Sequence, residues 1–121
     1  METLLILKDE NLLNDEVEET ILYEISFSYD KLERNKRIKY ILMQGEFFEK
    51  KGSYQDAEEF YEIGVNEFKN SATLYLKLGQ IQYQTQKYEK SWENITRSNF
   101  LDKFNSNVWI YLLLLSNVMN R

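Results

Sequence analysis

The stretch Tyr75-Leu76-Lys77-Leu78-Gly79 decides the fold, because its key residues recur at a step of 34 in both directions. Upstream, Gly79 is matched by Gly45. Downstream, Tyr75 is matched by Trp109 and Leu78 by Leu112. The same step joins Tyr54 to Tyr88 and Ala57 to the equally small Ser91. A fixed period in this range marks a stacked repeat protein. Residues 38–71 and 72–105 are then two copies, and residues 106–121 open an incomplete third.

The residue types suit such a stack. Two antiparallel helices approach closely only where one offers a small side chain to a large one on its neighbour. Gly45, Gly79, Ala57, Ser91, Gly64 and Ser98 supply the small partners. Phe48, Tyr54, Tyr61, Tyr75, Tyr88 and Trp109 supply the bulk. All of these read as packing residues, since a repeat must bury its faces on its neighbours to be stable.

The pattern resembles the tetratricopeptide repeat (TPR) family, whose signature is an aromatic, two residues and Leu-Gly, then later a small residue, three residues and an aromatic. The second copy carries Tyr75-x-x-Leu78-Gly79. The first carries Gly45, Ala57-x-x-x-Tyr61 and Gly64, and the third opens with Trp109-x-x-Leu112. The sequence departs from the family at Lys69 and Lys103, where Pro is usual, at Gln44 in place of Leu, and at Leu113 in place of Gly. The resemblance implies an all-α fold of antiparallel helix-turn-helix repeats stacked as a short right-handed superhelix.

Composition narrows the chemistry. The 121 residues fit one domain, with an N-terminal arm and helix over 1–37 and the repeat array over 38–121, and bury enough surface for a core without staples. There is no Cys and no His, which removes disulfides, thiolate nucleophiles, the usual general base and the commonest metal ligand. The four glycines stand at scattered repeat positions and form no phosphate loop. A net charge of −5 argues against nucleic acid. The reading is therefore non-enzymatic, with no catalytic, cofactor or metal residue nominated. The acidic groups Glu58, Glu59 and Glu62, and Glu16, Glu18 and Glu19, read as solvated helical faces. Charge drifts along the chain, from −5 over residues 1–37 through −3 over 38–71 to +3 over 72–121.

Residues 1–9 lack the basic lead and small-residue cleavage site of a signal peptide, and the apolar run 108–119 is too short to span a bilayer. These features point to a soluble intracellular protein that does not engage a membrane. The chain contains no Pro and no sustained alternation, so helices are expected throughout. Residues 1–12 read as a short helix or arm, and 14–34 as one long helix with Val17, Ile21, Ile25, Tyr29 and Leu32 on one face. Further helices are expected at about 36–50, 53–68, 71–85, 88–100 and 106–120. Gly52 marks the first turn, and Ser53 with Asp56 reads as a capping box.

In TPR arrays the concave groove is lined from the second, fifth, ninth and twelfth residues of each repeat. That resemblance nominates Leu42, Leu76 and Ile110 as an aliphatic floor, flanked by Glu46, Gln80 and Leu114 and by Glu49, Tyr83 and Asn117, with Lys39, Thr73 and Asn107 completing the set. An apolar floor with polar flanks suits an amphipathic helix or extended segment of a protein partner. The last helix is apolar all round, so another molecule is expected to cover Trp109 and Leu113, either a partner or a second copy in a homodimer. The cation pattern that grips chaperone carboxylate tails is absent, with only Lys77 in place.

The segment Ser98 to Leu114 is similar to the last repeats of a TPR-bearing cilia- and flagella-associated protein family. Asn99, Leu101, Asn105, Val108, Trp109, Tyr111, Leu112 and Leu114 carry the likeness. It implies a structural scaffold in the cytoplasm, within the cilium or axoneme. The alternative is a cytosolic TPR chaperone or adaptor that holds an amphipathic segment of a client.

Overall fold

The computed structural model describes residues 14–120, and the reading of residues 1–12 lies outside them. Every regular element among the described residues is helical: α1 (Asp15–Ser26), a 3-10 turn (Tyr29–Lys31), α2 (Arg34–Lys50), α3 (Tyr54–Glu67), α4 (Ala72–Gln84), α5 (Tyr88–Leu101) and α6 (Ser106–Met119). Each helix packs on the next in sequence, and α4 also touches α6.

The expected long first helix is in fact two pieces. α1 begins where Asn14 accepts a hydrogen bond from the Val17 N–H at 2.9 Å, and it buries Leu22 and Ile25. It stops at Phe27 because Arg37 organises the chain beyond. Arg37 Nε donates to the Leu32 carbonyl at 2.9 Å and its terminal nitrogen to the Asp30 carbonyl at 2.6 Å, while its guanidinium lies 5.3 Å from the Tyr29 ring centre. These bonds satisfy backbone carbonyls that a continued helix would have used itself.

The helix pairs α2–α3 and α4–α5 share one local geometry at the step of 34. The Gly52 N–H donates to Glu49 O at 3.0 Å and the Ser53 N–H to Phe48 O at 2.8 Å. In the second pair the Gln86 N–H donates to Tyr83 O at 3.1 Å and the Lys87 N–H to Gln82 O at 2.8 Å. Both turns place one residue in the left-handed region, Gly52 at φ 78° and Gln86 at φ 66°. The expected capping box does not form: Ser53 makes no side-chain cap bond, and the turn bonds set the start of α3 instead.

The close approaches recur in the same register. A Cβ on Gly45 would collide with the Tyr61 ring, and one on Gly79 would stand 2.5 Å from Ile95 Cδ1. Tyr61 and Ile95 are 34 positions apart, as the two glycines are. Ser91 Oγ donates to Gly79 O at 2.6 Å and Ser98 Oγ to Ala72 O at 2.8 Å, which fixes α5 antiparallel to α4. All six nominated small residues are buried.

Two apolar clusters result. The larger spans α1 to α4, from Leu22 through Ile41, Phe47, Tyr61 and Leu74 to Ile81. The smaller joins Leu76, Ile95, Val108 and Leu115 across α4, α5 and α6. Two glutamates expected on solvated faces are instead buried. Glu58 accepts from Lys87 Nζ at 2.6 Å and from Gln82 Nε2 at 3.2 Å, and Glu18 accepts from Lys50 Nζ at 2.8 Å. A buried carboxylate persists where a cation and hydrogen bonds compensate its lost hydration.

Candidate protein-interaction surface

The residues nominated for a groove fall into three groups. Leu76 is 7 % exposed and belongs to the smaller cluster, and Leu42 packs against the larger one. The expected aliphatic floor is therefore closed at its middle rung, because α6 lies over α4 there and Val108 and Leu115 fill the space beside Leu76. Leu76 is a core residue and offers no open side chain to a partner.

The polar flanks are committed to the fold. Glu46 forms an ion pair with Lys77 at 3.1 Å, which ties α2 to α4. Glu49 accepts from the Tyr61 hydroxyl at 2.7 Å, and burial, aided by this carboxylate, pushes the Tyr61 hydroxyl above its ordinary range. Tyr83 stacks edge-on to Tyr111, with ring centres 5.5 Å apart, and lies 5.8 Å from Tyr88. Gln80 remains partly exposed.

α6 is different. Val108 and Leu115 seat it on α4 and α5, while Trp109, Ile110, Leu113, Leu114 and Val118 stay exposed. Their spacing, at i, i+1, i+4, i+5 and i+9, makes one continuous strip along the helix. α6 carries no charged residue from Ser106 to Met119. Of the nominated residues, Ile110, Leu114, Trp109 and Leu113 are thus brought together on one open face. No family model matches this chain, and no curated protein matches it either.

Two further features escaped the sequence reading. Phe104, 98 % exposed in the turn before α6, and Phe100 at the end of α5 are further exposed aromatics, with Arg97 5.4 Å from the Phe100 ring centre. At the other end, Tyr23 and Phe27 pack edge-on at 5.0 Å on the open side of α1, near a recess of about 220 Å³ lined by Tyr29, Tyr40, Ile41, Phe60 and Ile63. The i, i+4 spacing of Tyr23 and Phe27 was the signal available for that patch. A polar recess of about 280 Å³ between α3, α4 and α5 is lined by Glu62, Asn66, Gln82, Lys90, Glu93 and Asn94. Gln82 and Asn94 are hydrogen-bonded to each other there at 2.7 Å, and Gln82 to Glu58, so these groups brace three helices. Among the described residues no three His, Cys, Asp or Glu side chains are placed to hold a metal ion, and no helix is long and apolar enough to cross a membrane.

Proposed function

We propose that this chain is a non-enzymatic protein-interaction scaffold of the TPR kind, its helix hairpins stacked as a short right-handed superhelix. The observation that carries this reading is the recurrence at 34 residues of both the turn bonds and the glycine approaches, Gly45 with Tyr61 and Gly79 with Ile95. Stacked hairpins of this type present extended surfaces to other proteins. The partner contacts fall on the exposed Ile110 and Leu114 and on the partly exposed Gln80 and Tyr83, with Glu46 and Lys77 as a polar rim.

The likeness of residues 98–114 to a cilia- and flagella-associated family supports a ciliary or axonemal assembly as the setting of this scaffold. Affinity capture with the tagged full chain, beside Tyr83→Arg and Ile110→Asp variants of unchanged helical content, tests the reading. Axonemal proteins held by the wild type and lost from both variants are expected. Capture that is indifferent to both substitutions would sink the surface assignment, and capture of an exported client would favour a chaperone instead.

A further inference from the structure

We propose that two copies of this chain pair through α6, antiparallel about a twofold axis, with Leu113 of each copy seated against Leu114 of the other. The inference rests on the register of α6 relative to α2 and α4; because it uses Ile110 and Leu114, a second copy and the proposed partner would compete for this face.

The register says what cannot cover α6. Gly45 admits Tyr61 of α3, and Gly79 admits Ile95 of α5. The residue one further step of 34 along is Leu113, and it is 71 % exposed. Even a single methyl group at Gly79 would stand 2.5 Å from Ile95 Cδ1. A leucine at this point blocks a helix approaching α6 as α3 approaches α2 or α5 approaches α4. The occupant must lie further out and receive Leu113 as a knob in a hole, which is the geometry of two similar helices packed side by side.

Charge and area both fit a second copy. α6 has no charged side chain, so two α6 helices meet without like-charge repulsion, and a charged partner would find no complement on it. Trp109, Ile110, Leu113, Leu114 and Val118 are 53, 52, 71, 40 and 42 % exposed. Given that a whole aromatic buries about 150–250 Å² and an aliphatic side chain somewhat less, the strip offers roughly 500 Å². Two copies together bury about 1,000 Å², near the lower limit for an interface that holds in solution. An antiparallel pairing centred between Leu113 and Leu114 sets Trp109 against Val118 and Ile110 against Asn117 of the second copy. Such a contact is self-complementary and closed. Val108 and Leu115 are fully buried on the opposite side, so α6 is already held in the conformation that pairs.

Sedimentation of the full chain from about 1 to 100 µM tests the proposal, since that range spans micromolar dissociation constants. A monomer–dimer equilibrium is expected, with Leu113→Asp raising the dissociation constant on the order of 100-fold, since a twofold interface feels each central substitution twice. The chain has no cysteine, so oxidative cross-linking of single-cysteine variants reads the register even if Leu113→Asp misfolds. Leu113→Cys should form a linked dimer, and Val118→Cys, far from its own copy, should not. A monomer at the highest concentration, a dimer insensitive to Leu113→Asp, open-ended polymers, or equal linking at both positions would each overturn the proposal.

Discussion

Replacing Gly79 by alanine opposes two effects of comparable size, and the structure decides which wins. Within a helix, Gly→Ala stabilises by about 1 kcal/mol through backbone entropy. At Gly79 the new methyl would stand 2.5 and 2.6 Å from the side chain of Ile95 and 3.2 Å from its backbone nitrogen. Ile95 is wholly buried and cannot swing away, so α5 must move as a body. Overpacking of this kind costs about 1–3 kcal/mol, and the rigid backbone contact puts Gly79→Ala near the upper end. A net loss of about 1–2 kcal/mol follows. At a urea slope of about 1.5 kcal/mol per molar, that lowers the midpoint by roughly 1 M. Urea titration followed by circular dichroism measures it. In an Ile95→Ala background the same substitution should cost at least ~1 kcal/mol less, because the obstructing side chain is gone. An alanine that stabilises the wild-type background would mean that α4 and α5 do not approach closely at Gly79.

Leu76→Glu should lower stability by about 3 kcal/mol or more, since it drives a carboxylate into the cluster of Ile95, Val108 and Leu115; a folded, equally stable variant would return Leu76 to the open surface. Lys87→Met should cost about 2–3 kcal/mol by leaving the buried Glu58 without its cation, whereas Lys77→Met, at the partly exposed pair with Glu46, should cost under ~1 kcal/mol, and equal urea midpoints for the two would refute the distinction. Tyr61 is raised above its ordinary 10.0 by burial and then by Glu49, and Lys50 above its ordinary 10.5 by its bonds to Glu18 and then Asp15. Both raised values contribute stability that is full below about pH 10 and lost as pH climbs through them. The urea midpoint should therefore hold from pH 7 to 9 and fall above 10, less steeply in Tyr61→Phe; a midpoint unchanged to pH 11 would contradict the burial of that hydroxyl.

The helices were legible because their signals are local or periodic. Gly45, Gly79, Ala57 and Ser91 repeat at one step, and small residues at one step imply close approaches at one step. What was illegible depends on residues far apart in the chain. Glu58 and Glu18 sit among other acids and read as solvated, yet Lys87 and Lys50, about 30 positions away, neutralise them inside. The break after Ser26 is imposed by Arg37, a residue of the next helix. Leu76 follows a repeat rule for an open groove, but α6 folds over it, and no spacing within α4 encodes that contact. The strip on α6 was legible for the opposite reason, since a helix apolar all round leaves some of that surface uncovered when, among the described elements, α4 and α5 are its main neighbours.

α4 takes part in both apolar clusters: Leu74, Leu78 and Ile81 belong to the larger and Leu76 to the smaller. Among the described residues there are therefore two interiors, with α4 as the wall they share. A disturbance confined to α1 is damped before it reaches α6, because in a row of elements that mostly touch their neighbours strain passes chiefly through the wall and the Glu58–Lys87 link beside it. Mutational damage should accordingly sort into two nearly independent groups, left and right of α4, with substitutions inside α4 or at the Glu58–Lys87 link felt at both ends.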